Sequence, residues 1–362
     1  MMNFKKNLTA KFKNADGSFR WSTLSTIAGN AFFALAVMYG ICLIAHPAFE
    51  KPETIMMIVR QVTCVGIIAL GMTYVIAGGG IDLSVGALFA FCGVVSVRTL
   101  AYLQNTPGIL PESLCAADAG AFAVICVISI LTGALGGALN GLLITVCKIP
   151  PFIATLGTLS IFRSLALHLA NSGTLSLFDL PRKVSMMKIA DCNFGIIPVA
   201  AVVLVVLTGI MAFVMQKTAY GHHLCAVGAN VKVAKYAGIR TSRVSFMSYV
   251  IVGICAGAAM VLFLGQFDSV SSSNAGNLYE LDAIAAVVIG GTAMSGGRAS
   301  LWGTLAGALI LGLIFALLNI LSAVPNLKDS VVLSLLASPT LKDFVKGIII
   351  LFSVFIQRKE KV

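Results

Sequence analysis

Apolar runs of about 20 residues recur along this chain, each long enough to cross about 30 Å of hydrocarbon. That repetition restricts the fold of the 362 residues more than any motif does. Hydrophobic residues make up 58% of the chain and charged residues only 11%, against roughly 25% charge in a soluble domain. The sequence therefore predicts an all-α, polytopic integral membrane protein with about ten transmembrane helices. The spans are read near 24–45, 55–77, 83–103, 121–146, 152–170, 195–215, 244–265, 283–294, 301–321 and 344–356. They form one membrane domain over 24–357, with an N-terminal tail (1–23) and a short C-terminal tail (358–362). The first 20 residues are polar and basic without an apolar stretch, so the first span is read as the insertion signal.

Side assignment follows the distribution of Lys and Arg. The two tails, the links at Lys148 and Arg298, and the segment 217–243 hold most of the basic residues. The opposite loops hold Lys51, Arg182, Lys183, Lys188, Lys328 and Lys342, with most of the acids. Both termini are thereby expected in the cytoplasm. The net charge of +11 reads as membrane topology, not as nucleic-acid binding. The nine Cys form no CxxC pair and no Cys/His metal spacing. Most lie in apolar runs, where Cys acts as a small hydrophobe. Cys115 and Cys192 fall in loops assigned to the outside, where they either pair or remain thiols.

The longest polar insert is KTAYGHHLCAVGANVKVAKYAGIRTSR, residues 217–243. It carries Lys217, Lys232, Lys235, Arg240 and Arg243 and no acid. A short helix is predicted within it. Asn230 can cap its start with a side-chain oxygen, and Gly238 can end it in a left-handed conformation. Val233, Ala234 and Ala237 share one predicted face, and Lys232, Lys235 and Tyr236 another. Two readings stand: a docking helix for a soluble partner, or a solvated loop whose charges set topology. His222 and His223 are adjacent, which makes a poor metal pair.

Two glycine tracts occupy similar places between spans, AGGGIDLSVGA (77–87) and IGGTAMSGGRASLWGT (289–304). Gly-interrupted segments in corresponding halves point to a transport pathway, since broken backbone at membrane depth needs protein or water beside it. Candidate path residues are therefore Asp82, Ser84, Gly290, Gly291 and Ser295, with Arg60, Gln61 and Arg163 inside apolar runs. Asp82 has a second role available, capping the following helix with help from Ser84. Arg163 lies deepest and reads equally as a pathway residue or a structural hydrogen-bond partner. Arg98, close to a span end, can snorkel. The chain has no GxxxxGK[ST] phosphate loop, no HExxH and no GxSxG, so neither a nucleotide site of that kind nor a catalytic or metal constellation is expected.

Four stretches together resemble a known family: GGGIDLSVGALFA, KIPPFIATLGTLSIFRSLAL, YGHHLCAVGANVKVAKYAGI and AIAAVVIGGTAMSGGRASLWGTLAGALI. They are similar to the inner-membrane permease subunits of bacterial ribose/galactose/xylose-type ABC importers, over roughly residues 55–320. GGGIDLS stands where that family has a pattern close to TGGIDLS, and His222 replaces its usual basic residue. The resemblance implies a permease paired with a second copy or a paralogue in the bacterial inner membrane. It implies a cytoplasmic ABC ATPase that carries the ATP and Mg, leaving no cofactor on this chain. It also implies a periplasmic or lipid-anchored sugar-binding protein. Gly221, Gly228, Asn230, Ala234 and Gly238 would then belong to the segment that docks on the ATPase, and its motion would reorient the spans around the two glycine tracts. The rival from another class is an ion-coupled secondary transporter, for which buried acids or His are the usual ion sites; His168 and His46 are its only His support. The substrate reading stays at a monosaccharide or similar small polyhydroxylated solute.

Overall fold

The structure is a computed structural model, and it describes residues 31–106, 118–186, 193–194 and 197–323 together with positions 344, 347 and 348. Among these residues the chain is built from eleven α-helices: α1 (Ala31–Ala45), α2 (Pro52–Ala77), α3 (Val85–Asn105), α4 (Asp118–Thr145), α5 (Pro151–Leu169), α6 (Val199–Lys217), α7 (Ala219–Ala229), α8 (Val231–Tyr236), α9 (Thr241–Phe267), α10 (Tyr279–Ile289) and α11 (Leu301–Ala323). Seven of them, α2 to α6, α9 and α11, are long and apolar enough to cross a membrane. Most of the predicted span at 344–356, both tails, the start of the first span, Cys115 and Cys192 lie outside the described residues.

Proline at N1 opens α2 and α5, where its missing N–H costs no helical bond. Helix ends differ from the sequence reading by a few residues, and two differences are larger. The span placed at 283–294 is a helix over Tyr279–Ile289. It stops at Gly290 because Gly291 takes φ +86° and Thr292 N turns back to Val287 O. At 1.5 Å per residue, α10 is about 16 Å long, roughly half the hydrocarbon thickness. The polar insert 217–243 holds two helices, α7 and α8, where the sequence suggested one.

The core is set by small residues that let backbones touch. Helix α9 lies at the centre, against α4, α2 and α3. A Cβ added to Gly133 of α4 would overlap the Gly253 carbonyl oxygen of α9, and one on Gly253 would overlap the Gly133 carbonyl oxygen. Gly137 meets Tyr249 in the same way, and Gly257 meets Ser129. The Ser129 hydroxyl donates to Gly257 O at 2.8 Å, a bond that such close approach permits. On the other side of α9, Gly71 of α2 faces Val252, and Cys64 Sγ donates to Ala259 O at 3.6 Å. The Thr73 and Thr304 hydroxyls tie α2 to α11 at 2.8 Å.

Strands are few among the described residues. β1 (Thr174–Ser176) pairs antiparallel with β4 (Ser269–Ser271), with Leu175 opposite Val270. β2 (Asn193–Phe194) pairs with β3 (Ile197–Pro198). Asp268, at φ 47°, ends α9 and accepts bonds from the Ser185 hydroxyl at 2.8 Å and Met186 N at 2.7 Å. This ties the α5–α6 connection to the end of the central helix.

Candidate translocation and coupling site

The two glycine tracts close their helices in one geometry. After α2, the N–H groups of Gly78, Gly79 and Gly80 return to Tyr74 O, Ile76 O and Val75 O at 3.0, 2.9 and 2.9 Å. After α10, those of Gly290, Gly291 and Thr292 return to Ala286 O, Val288 O and Val287 O at 2.9, 3.0 and 3.2 Å. The pattern of partners is the same, and the middle residue is left-handed in both, φ +80° at Gly79 and +86° at Gly291. Glycine alone adopts this without a Cβ penalty. A serine then precedes each new helix, Ser84 before α3 and Ser300 before α11. The similarity read between the two tracts is thus a shared backbone form. The second link (290–300) is longer than the first (78–84), and the difference includes Ser295, Gly296, Gly297 and Arg298.

Asp82 is fully buried inside the first link. Its carboxylate accepts Ser84 N at 2.8 Å, the Ser84 hydroxyl at 2.7 Å and Asn140 Nδ2 at 3.2 Å. Asn140 Nδ2 also donates to Ser84 Oγ at 2.7 Å. The carboxylate therefore holds the link and the start of α3 against α4; it does not cap α3 as the sequence suggested, since Ser84 stands at the N-cap and makes no side-chain cap bond. Asn140 Oδ1 and the Tyr249 hydroxyl, both buried nearby, have no hydrogen-bond partner among the described residues. Asn140 was missed from sequence, although a lone amide inside the apolar, Gly-rich run ALGGALNGLL was a signal for it.

Arg163 of α5 reaches the segment leading into α10. Its Nη1 donates to the carbonyls of Ser272, Ser273 and Ala275 at 3.0, 3.2 and 2.9 Å. The guanidinium thus fixes irregular backbone ahead of the half-length helix. Replacing it, Arg163→Met, should remove about 1.5–3 kcal/mol, the usual worth of a hydrogen bond to a charged group. A thermal-unfolding scan in detergent should show a lowered midpoint, restored in part by Arg163→Lys; an unchanged midpoint would refute this role. Arg60 is half-buried, and its carbonyl accepts Gln266 Nε2 at 3.3 Å. Gln61, Gly291 and Ser295 are exposed, whereas Ser84 and Gly290 are buried. The structure does not gather these candidates into one cluster: Asp82 and Ser84 meet, Gly290 packs on Gly303, Arg163 holds the backbone ahead of α10, and the Arg60 carbonyl is held by the Gln266 side chain.

In the basic insert, Asn230 Oδ1 accepts Lys232 N at 3.0 Å and Val233 N at 3.1 Å, as a cap should, and Gly238 takes φ +81°. The predicted apolar face is only partly turned inward. Ala234 is buried, but Val231, Val233 and Tyr236 are exposed alongside Lys232 and Lys235. The residue that anchors α8 is Ala234, and the residues available to a partner are mixed apolar and basic. Helix α7 has the opposite character. Gly221, Leu224 and Val227 form its buried face, while His222 and His223 are exposed. Thr218 caps it, and Tyr220 stacks on Tyr74 of α2 at 6.2 Å between ring centroids. Burial pushes the Tyr220 phenol and the Cys225 thiol up, so both stay protonated near neutral pH. Trp302, second residue of α11, is partly exposed just after the second link.

A family described as the permease component of the branched-chain amino acid transport system matches residues 54–354. The chain belongs to this permease family. It is also similar to the ribose import permease protein RbsC of Bacillus subtilis, with 35% identity over 91% of this chain and 92% of that protein. Identity is 36% to the galactofuranose transporter permease protein YtfT of Escherichia coli, over 70% of this chain and 69% of that protein. It is 35% to the fructose import permease protein FrcC of Rhizobium meliloti, over 77% and 74%. With seven long apolar helices among its described residues, the permease is a multi-pass protein of the inner membrane. Its relatives are transport subunits, which accords with the lack of a catalytic constellation in the sequence.

Proposed function

We propose that this permease is the membrane-spanning subunit of an ATP-driven importer for a monosaccharide or similar small polyhydroxylated solute. A separate cytoplasmic ATPase, holding ATP and Mg, supplies the energy, and a periplasmic or lipid-anchored binding protein delivers the solute. The proposed topology has ten spans with both termini in the cytoplasm. The observation that carries the reading is the paired helix between α6 and α9. Helix α7 buries one face against the membrane domain, and α8 presents Val231, Val233, Tyr236 and two lysines outward. An anchored helix with an exposed apolar and basic face suits docking on a soluble partner. The import permeases among the relatives favour this reading over ion coupling. A second permease copy or a paralogue completes the pathway. Support comes from α5, the least buried of the long helices, which leaves Ser160, Ser164 and His168 exposed among its apolar residues. Polar groups are costly against lipid and suit a protein or water-lined surface.

The test is co-purification with a co-expressed cognate ATPase. Tyr236 and Val233 are exposed, so Val233→Glu with Tyr236→Glu should leave insertion and folding intact. The variant should retain at most a tenth of the ATPase held by wild type. Wild type that retains no ATPase, with uptake in vesicles following an ion gradient without ATP, would overturn the proposal.

A further inference from the structure

We infer that Gly228 is the positioning residue that joins the docking segment to both glycine links at once. The inference rests on the proposed coupling to an ATPase. The longer second link reaches across to the first, and Gly297 N donates to Ala77 O at 2.9 Å. That hydrogen bond connects the end of α2 with the loop between α10 and α11. Gly228, one residue before the end of α7, lies directly against it. A Cβ added there would overlap the Ala77 carbonyl oxygen and come 2.7 Å from Gly297 N.

The contact is reciprocal. A Cβ on Gly296 would lie 2.7 Å from Gly228 O, and one on Gly297 would lie 3.0 Å from Ala229 Cβ. Beside them, a Cβ on Gly78 would lie 2.9 Å from Leu224 Cδ1 of the same α7 face. Three backbone segments therefore meet with almost no side chain between them. Such a joint transmits displacement poorly through flexible rotamers and well through rigid backbone, because close-packed interiors shift between discrete arrangements. Helix α8 follows α7 after the single residue Asn230. A partner that moves α8 thereby moves the contact between the second link and the end of α2.

Adding a methyl at Gly228 should separate α7 from the links without altering the exposed face of α8. The readout is the chemical accessibility of link two. Ser295 is exposed, so Ser295→Cys is introduced into a chain whose nine native Cys are replaced. Labelling by a hydrophilic maleimide is followed in the permease–ATPase complex with and without ATP and vanadate. The Gly228 background should show at least a threefold change in labelling rate on trapping. Gly228→Ala, read in the fraction of permease that holds the ATPase, should lose that change. Leu224→Ala, which trims a side chain without adding bulk, should reduce the change by about half and guards against a Gly228→Ala protein that fails to fold. Gly209→Ala, where a Cβ meets nothing within 4 Å, should behave as the background. An unchanged response in Gly228→Ala or Leu224→Ala, or no response in the background itself, overturns the joint. A background chain that never retains the ATPase overturns instead the proposed function beneath it.

Discussion

Gly253→Val should yield almost no monodisperse permease. Gly253 faces Gly133 with no space for a Cβ, and the same added atom would lie 3.0 Å from Gly137 Cα. Overpacking a core costs about 1–3 kcal/mol when side chains can rotate aside. Here both neighbours are helix backbone, so α4 and α9 would have to separate, taking the Ser129–Gly257 hydrogen bond with them. The cost should exceed that range. Size-exclusion of detergent-solubilised protein should show at least a tenfold loss of the folded peak. Gly209→Val serves as the control, since α6 has open space at that position. A Gly253→Val protein that elutes and unfolds like wild type would refute the claim that backbone contact organises this core.

The second large effect is expected at Asp82. Asp82→Ala deprives both Ser84 N and the Ser84 hydroxyl of their acceptor and leaves Asn140 Nδ2 bonded only to Ser84 Oγ. A buried polar group left unsatisfied costs about 1–3 kcal/mol, so two of them should cost about 3 kcal/mol and loosen the entry to α3. Asp82→Asn should be milder. The asparagine oxygen can still accept from Ser84, and the Asn140 amide can flip so that its partnerless Oδ1 receives the new N–H. Unfolding midpoints should therefore fall in the order wild type, Asp82→Asn, Asp82→Ala. Equal midpoints for Ala and wild type, or an asparagine variant weaker than alanine, would exclude the link-holding role.

Seven of the spans were legible because apolar length alone carries them. So were both glycine tracts and the capped helix at Asn230, since φ > 0 and capping are local demands with local residues. What the sequence did not disclose depends on residues far apart. Arg163 finds its carbonyls 109 to 112 positions away, and no spacing rule predicts that. The burial of α7 was hidden by its composition, where two His and a Cys masked the apolar face of Gly221, Leu224 and Val227. Val233, Ala234 and Ala237 were read as one face, yet α8 is short and only Ala234 of the three reaches the body. The small side chain fits the contact where the larger one does not.

Trp302 gives the longer link an optical consequence. The chain contains two tryptophans, and this one sits two residues beyond the second link, 40% exposed. Indole emission shifts with the polarity around the ring. With Trp21 replaced, a single intrinsic fluorophore would stand where α11 leaves the glycine-rich turn. The permease thus holds a spectroscopic reporter beside its second glycine link, readable in a membrane without any attached dye.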